Sequence, residues 1–247
     1  MFFFILGTII GSFLNVIIIR FPQNKSIIFP RSQCTKCENT IPFYHNIPII
    51  SYIILKGKCA NCYEKISMQY IIIELLTGVL FYIIFNLFSL DNAILLSIVL
   101  CTLIILSATD IIHLLIPIYV IIILYILIIF KTLIYNESII EVGLGALISI
   151  LYLSIPALLI SFIKNKKEVL GFGDILLSGF IGAWLGPING IVCLFLASLI
   201  GILFVIYSIT SNKDISLLKI PFGACIAISF TIIIILEKSY NFKLFFF

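Results

Sequence analysis

Apolar residues occur in long blocks broken by short polar interruptions. Blocks over 1–19, 70–90, 93–110, 112–130, 142–163, 174–189, 190–210 and 219–236 approach the roughly 20 residues a membrane-crossing helix needs. The pattern predicts eight transmembrane helices. Two junctions are faint, one around Pro187 and Asn189, the other between 93–110 and 112–130. Fusing either pair would give seven. The one long polar stretch, 20–69, is rich in Pro, Asn, Lys and Cys. It predicts a small extramembrane domain between the first two helices. The chain thus divides into a first helix (1–19), that domain (20–69) and a membrane-embedded remainder (70–247). Shorter polar segments lie at 164–173 and 211–218.

Composition turns this pattern into a fold class. The 247 residues are 62% hydrophobic and 11% charged, with mean hydropathy +1.29. A water-soluble domain of this size needs more polar surface, so the apolar excess faces lipid. The fold class is an all-α polytopic membrane protein, about eight transmembrane helices with a small extramembrane domain between the first two. Met1 is followed at once by Phe2, Phe3, Phe4 and Ile5, with no basic n-region. The first segment therefore reads as a retained anchor. The net charge of +4 is not a sign of nucleic-acid binding, because in a membrane protein the placement of cations carries the information. With 20–69 in the cytoplasm, alternation through eight helices puts 164–173 and 211–219 there too. Of the 15 basic residues, only Lys131, Lys238 and Lys243 then fall elsewhere. The positive-inside rule favours this orientation and places both termini outside the cytoplasm.

Acidic residues within the apolar blocks are few: Glu74, Asp110 and Asp174. Charges there are costly and tend to face an interior and to carry function. Asp110 closes the third block and Asp174 opens the sixth, so the topology brings both to the cytoplasmic face. Two close carboxylates resist double ionisation and share a proton, the arrangement that aspartic proteolysis uses. Either aspartate alone could merely complement a helix end. The flanking Gly171-Phe172-Gly173, which permits close approach, and Pro117, which breaks a helix, favour a built site. His113 reads as a solvated residue at the helix end.

Cys34-x2-Cys37 and Cys59-x2-Cys62 form two CxxC pairs separated by 21 residues. Such pairs supply four thiolates for a closed tetrahedral zinc site, which makes 20–69 a small cytoplasmic zinc-binding domain in this reading. A disulfide framework does not suit the reducing cytoplasm, and a metal helps a domain of this size to fold. Two redox or free-thiol pairs are the alternative. Cys101, Cys193 and Cys225 lie in apolar runs and read as small core residues.

The ordered set of motifs resembles the bacterial type IV prepilin leader peptidases, which also serve type II secretion pseudopilins. It comprises Gly11-Ser12-Phe13-Leu14-Asn15-Val16, Arg20 and Pro22, then Asn46-Ile47-Pro48, Ser51-Tyr52 and Gly57 among the cysteines. Tyr70, Glu74 and Gly78, then Asp110 with Pro117, Gly171-Phe172-Gly173-Asp174 and Pro221-Phe222-Gly223 complete it. The resemblance covers nearly the whole chain. It implies cleavage of a short basic leader from prepilins or pseudopilins, usually just before a phenylalanine, with Asp110 and Asp174 as the catalytic pair. It also implies N-methylation of the new N-terminus with S-adenosylmethionine, in the bacterial inner membrane, with the active site at the cytoplasmic face. Many members carry a lysine two residues after the second aspartate; here that position is Leu176. No glycine-rich cradle marks a methyl-donor site in 20–69. The competing readings are a protease without methylation, a presenilin-like enzyme, and a zinc-domain membrane scaffold or transporter.

Overall fold

The computed structural model describes residues 1–23, 25–164, 170–211 and 220–239. Among them the elements are helical: α1 (Phe2–Arg20), a short α2 (Ile50–Ile54), α3 (Met68–Leu87), α4 (Leu90–His113), α5 (Ile118–Tyr135), α6 (Ile139–Lys164), α7 (Phe172–Leu185), α8 (Pro187–Thr210) and α9 (Phe222–Ser239). Seven are long and apolar enough to cross a membrane, and α7 is a shorter apolar helix. All eight predicted blocks are therefore helices, and the chain is an all-α multi-pass membrane protein. The faint junction at Pro187 is a real break. Gly186 takes φ +84°, Pro187 opens α8, and a proline suits that first position. The basic residues Lys166, Lys167, Lys213, Lys219 and Lys243 lie outside the described residues.

The chain forms two units, Met1–Ile105 and Leu106–Phe247, and the division falls within α4. In the first, α1 and α3 pack through small residues. A Cβ on Gly7 would lie 2.7 Å from the Thr77 carbonyl oxygen, and one on Gly11 would strike the Thr77 hydroxyl. On α3, a Cβ on Gly78 would come 2.7 Å from Thr8 Cγ2. Close backbone approach at small-xxx-small positions is how membrane helices associate. Asn15 extends the contact, donating to the Tyr70 carbonyl at 3.1 Å.

The 20–69 segment is less separate than its polarity predicts. Its apolar stretch Ile47–Ile54 returns to the helices, where the Ile49 N–H donates to Glu74 Oε2 of α3 at 2.8 Å. Around it stand two matching knuckles. Gln33 bridges Thr40 and Lys58 bridges Lys65, each pair flanking one CxxC. Glu38 and Tyr63, each the fourth residue after the first cysteine of its knuckle, both adopt left-handed φ, at 56° and 58°.

In the second unit α7 is buried nearly all round, from Leu177 to Ala183. A helix that is apolar on every face belongs in a core. Gly145 of α6 and Gly182 of α7 pack backbone to backbone, and a Cβ on either would strike the other's carbonyl oxygen. Phe180 and Trp184 stack near Phe230 of α9, with ring centroids 5.9 and 6.2 Å away. The Tyr125 hydroxyl of α5 donates to the Leu176 carbonyl at 3.0 Å. At the far end of α7, Lys131 donates to the Trp184 carbonyl at 3.3 Å and pairs with Glu137 at 2.8 Å.

Candidate active site and metal centre

Asp110 stands on α4 one turn before its end. The helix runs on to His113 rather than stopping at Asp110, and Leu114 in the left-handed region ends it, its N–H bonded to the Asp110 carbonyl. The side chain of Asp110 is only 5% exposed. Its Oδ2 accepts from the Ala224 N–H at 3.2 Å, and the Gly223 N–H also faces it. Both donors belong to the first turn of α9, where N–H groups have no partner within the helix. The helix dipole favours a negative charge at that position. Pro221-Phe222-Gly223 thus marks the helix start that holds Asp110. Gly223 keeps this corner open: a Cβ there would lie 3.0 Å from Asp110 Oδ2 and 2.9 Å from Ile116 Cδ1, and both side chains would have to shift.

Asp174 is the third residue of α7, whose N-cap is Gly171. Its carboxylate faces the Gly171 N–H and the charge of Asp110. Its Oδ1 is shielded from solvent and accepts no hydrogen bond from the described residues. The Cys225 thiol lies within electrostatic reach of both carboxylates. The two predicted aspartates are therefore brought together. His113 is exposed, as a solvated helix-end residue would be.

Sequence reasoning missed Ile116. It wedges between the two glycine motifs: a Cβ on Gly173 would lie 2.7 Å from Ile116 Cβ, and one on Gly223 would meet its Cδ1. The adjacent Pro117, an extended N-cap for α5 with ψ 121°, turns the chain at this point. The glycines of both motifs thus make room for one side chain, and that shared packing sets the start of α7 against the start of α9. Only the pairing of glycines with a residue before proline hinted at it.

In the first unit Cys34, Cys37, Cys59 and Cys62 converge, with all four sulfurs within 4.8 Å of one another. Cys34 and Cys62 sulfurs are 3.8 Å apart, and those of Cys37 and Cys59 4.0 Å. Tetrahedral zinc with Zn–S bonds of about 2.3 Å sets its sulfurs about 3.8 Å apart. The four cysteines are free thiols, so the donor set fits zinc and leaves no open position. N–H groups of Cys62 and Asn61 hold the Cys59 thiol down to about 6, which favours the thiolate form a metal needs. Cys193 and Cys225 are buried and Cys101 half-buried, as small core residues.

A multi-pass helical membrane protein that sets a buried aspartate within electrostatic reach of a half-buried one belongs to a narrow class. Residues 5–88 match the bacterial peptidase A24 N-terminal domain, and residues 97–206 match the type IV leader peptidase family. The chain is 34% identical to the prepilin leader peptidase/N-methyltransferase of Vibrio cholerae serotype O1, over 94% of both proteins. It is 31% identical to the type 4 prepilin-like proteins leader peptide-processing enzyme of Escherichia coli O78:H11, over 90% of this chain and 88% of that protein. An Aeromonas salmonicida prepilin leader peptidase/N-methyltransferase is 29% identical over 92% of this chain and 87% of its own. No solved structure matches significantly. The chain belongs to the type IV leader peptidase family.

Proposed function

We propose that this protein removes the basic leader of prepilin or pseudopilin substrates at the cytoplasmic face of a bacterial inner membrane and then methylates the freed N-terminal amine. Asp110 and Asp174 are the catalytic pair. The observation that carries this reading is the buried Asp110 carboxylate, held by the first turn of α9 and facing the charge of Asp174. The difference in hydrogen bonding, two N–H donors facing Asp110 and one facing Asp174, supports a division of roles. N–H donors stabilise an ionised carboxylate, so Asp110 takes the proton from the attacking water. Asp174, with one oxygen unbonded among the described residues, carries the shared proton and donates it to the scissile carbonyl oxygen. Collapse of the tetrahedral intermediate expels the amine, which receives a proton from Asp110, while one hydroxyl of the intermediate returns its proton to Asp174.

The length of α7 supports an attack within the membrane boundary. Its 14 residues rise about 21 Å, short of the roughly 30 Å hydrocarbon core. Asp174 at one end therefore need not emerge into bulk solvent. Cys34, Cys37, Cys59 and Cys62 would hold a zinc ion whose contribution is structural, since four thiolates leave no site for substrate. S-adenosylmethionine is the methyl donor that the relatives' methyltransferase name suggests. Co-expression with a prepilin, followed by mass analysis of the mature N-terminus, tests both activities. The expected product has lost its leader and gained one methyl group.

A further inference from the structure

Three motifs are left unexplained by the aspartate chemistry: Gly11–Val16, Asn46–Pro48 and Glu74. They converge in the first unit on one groove of about 680 Å³, within the range of small-molecule and side-chain sites. Ile5, Ile9, Phe13 and Val16 of α1 form one wall, and Ile47 and Pro48 the other. The polar groups facing it are few, notably the Ser12 hydroxyl and the Asn46 amide.

Behind the groove sits Glu74, 7% exposed. It holds two groups of the lining, accepting from the Ile49 N–H at 2.8 Å and from Ser12. Ile49 takes φ 63° and ψ −52°, and the Ile50 N–H reaches the Pro48 carbonyl two residues back. This γ-turn is costly for a β-branched residue, and such backbone persists where the surroundings over-determine it. Glu74 makes no ion pair with a described residue. A buried carboxylate with no cation is unfavourable, and a cationic ligand beside Ser12 would offset that cost.

We propose that this groove is the acceptor site of the methyl transfer and takes the freed N-terminal amine of the cleaved substrate, with the apolar side chain of its first residue. The inference rests on the methyl-transfer half of the function proposed above. An adenosyl sulfonium donor carries a purine, a ribose and a zwitterion, and no charged residue lines the groove to receive them. An apolar peptide start with a single polar atom at its end matches the lining. In the step itself the bound ammonium first gives a proton to water, a step that apolar walls favour and the Glu74 carboxylate opposes. The neutral amine nitrogen then forms a bond to the methyl carbon as the carbon–sulfur bond breaks. That electron pair stays on sulfur, the donor leaves as a neutral thioether, and the product is a methylammonium. Ser12 contacts the amine, and Glu74 is the positioning residue that acts through Ser12 and Ile49.

Two full-length variants test this, Ile9→Trp, which fills the groove, and Glu74→Gln, which keeps the shape and removes the charge. Each is assayed in detergent for leader cleavage, and for methylation of pre-cleaved substrate by S-adenosylmethionine. The expected result is cleavage within twofold of the unsubstituted enzyme. KM for the cleaved substrate should rise at least tenfold, and KM for the donor should stay within twofold. A rise in donor KM instead would make the groove a donor site and overturn the proposal. So would unchanged methylation in both variants, or cleavage falling in step with methylation. An unsubstituted enzyme that cleaves without methylating would remove the methyl-transfer reading and this inference together, while leaving the protease intact.

Discussion

Gly223 carries the most specific expectation at the scale of single residues. Its missing Cβ lets the first turn of α9 reach Asp110 and leaves space for Ile116. Gly223→Ala should lower prepilin cleavage at least tenfold, about 1.4 kcal/mol of transition-state stabilisation, with the protein still folded. The pH–rate profile identifies the cause. Losing N–H donors to an ionised carboxylate disfavours that form, so the acidic limb should move to higher pH. The titratable groups facing Asp110 are Asp174 and Cys225, and neither is altered by the change. An unmoved limb beside a lowered rate would mean that Gly223 serves packing only. The aspartates themselves were legible in the sequence because charges are rare in apolar blocks. Their partners were not. Ile116 and the Ala224 N–H carry no chemical signature, and they matter only because residues far apart in the chain fold together.

Helices and knuckles show a similar divide between local and long-range information. The apolar blocks located the seven helices of membrane-crossing length and the shorter α7, because lipid imposes both length and composition. Their ends were misjudged by a few residues, as at α4, where a left-handed Leu114 stops the helix. The return of Ile47–Ile54 to α3 was hidden, since it depends on one hydrogen bond from a strained backbone to Glu74. The cysteine pairs were read from spacing, and the knuckles repeat that spacing in backbone form. Elemental analysis of purified protein should find one zinc per chain. Cys37→Ser and Cys59→Ser should each lose it and expose the 25–67 segment to proteases, because a domain of this size depends on its metal. Full zinc occupancy in both variants would contradict the four-thiolate site. At the α1–α3 crossing, Gly11→Leu cannot be accommodated against the Thr77 hydroxyl. It should reduce the yield of folded protein severalfold, whereas Gly143→Leu, where a Cβ meets nothing, should not.

Across the whole molecule the charge pattern favours an orientation that can be checked directly. An alkaline phosphatase fused after Asn136, between α5 and α6, should be active outside the cytoplasm, and one fused after Ile27 should be inactive. The reverse pattern would invert the topology and move both aspartates to the other face. Orientation was the most global property read from the sequence, and it rested on where lysines are absent as much as on where they cluster.

The most direct test of the central claim is mass analysis of a prepilin co-expressed with Asp110→Ala or Asp174→Ala. Each variant should accumulate in the membrane at the normal level, and each should leave the prepilin with its full leader. A correctly trimmed pilin produced by either variant would contradict the assignment of Asp110 and Asp174 as the proteolytic pair.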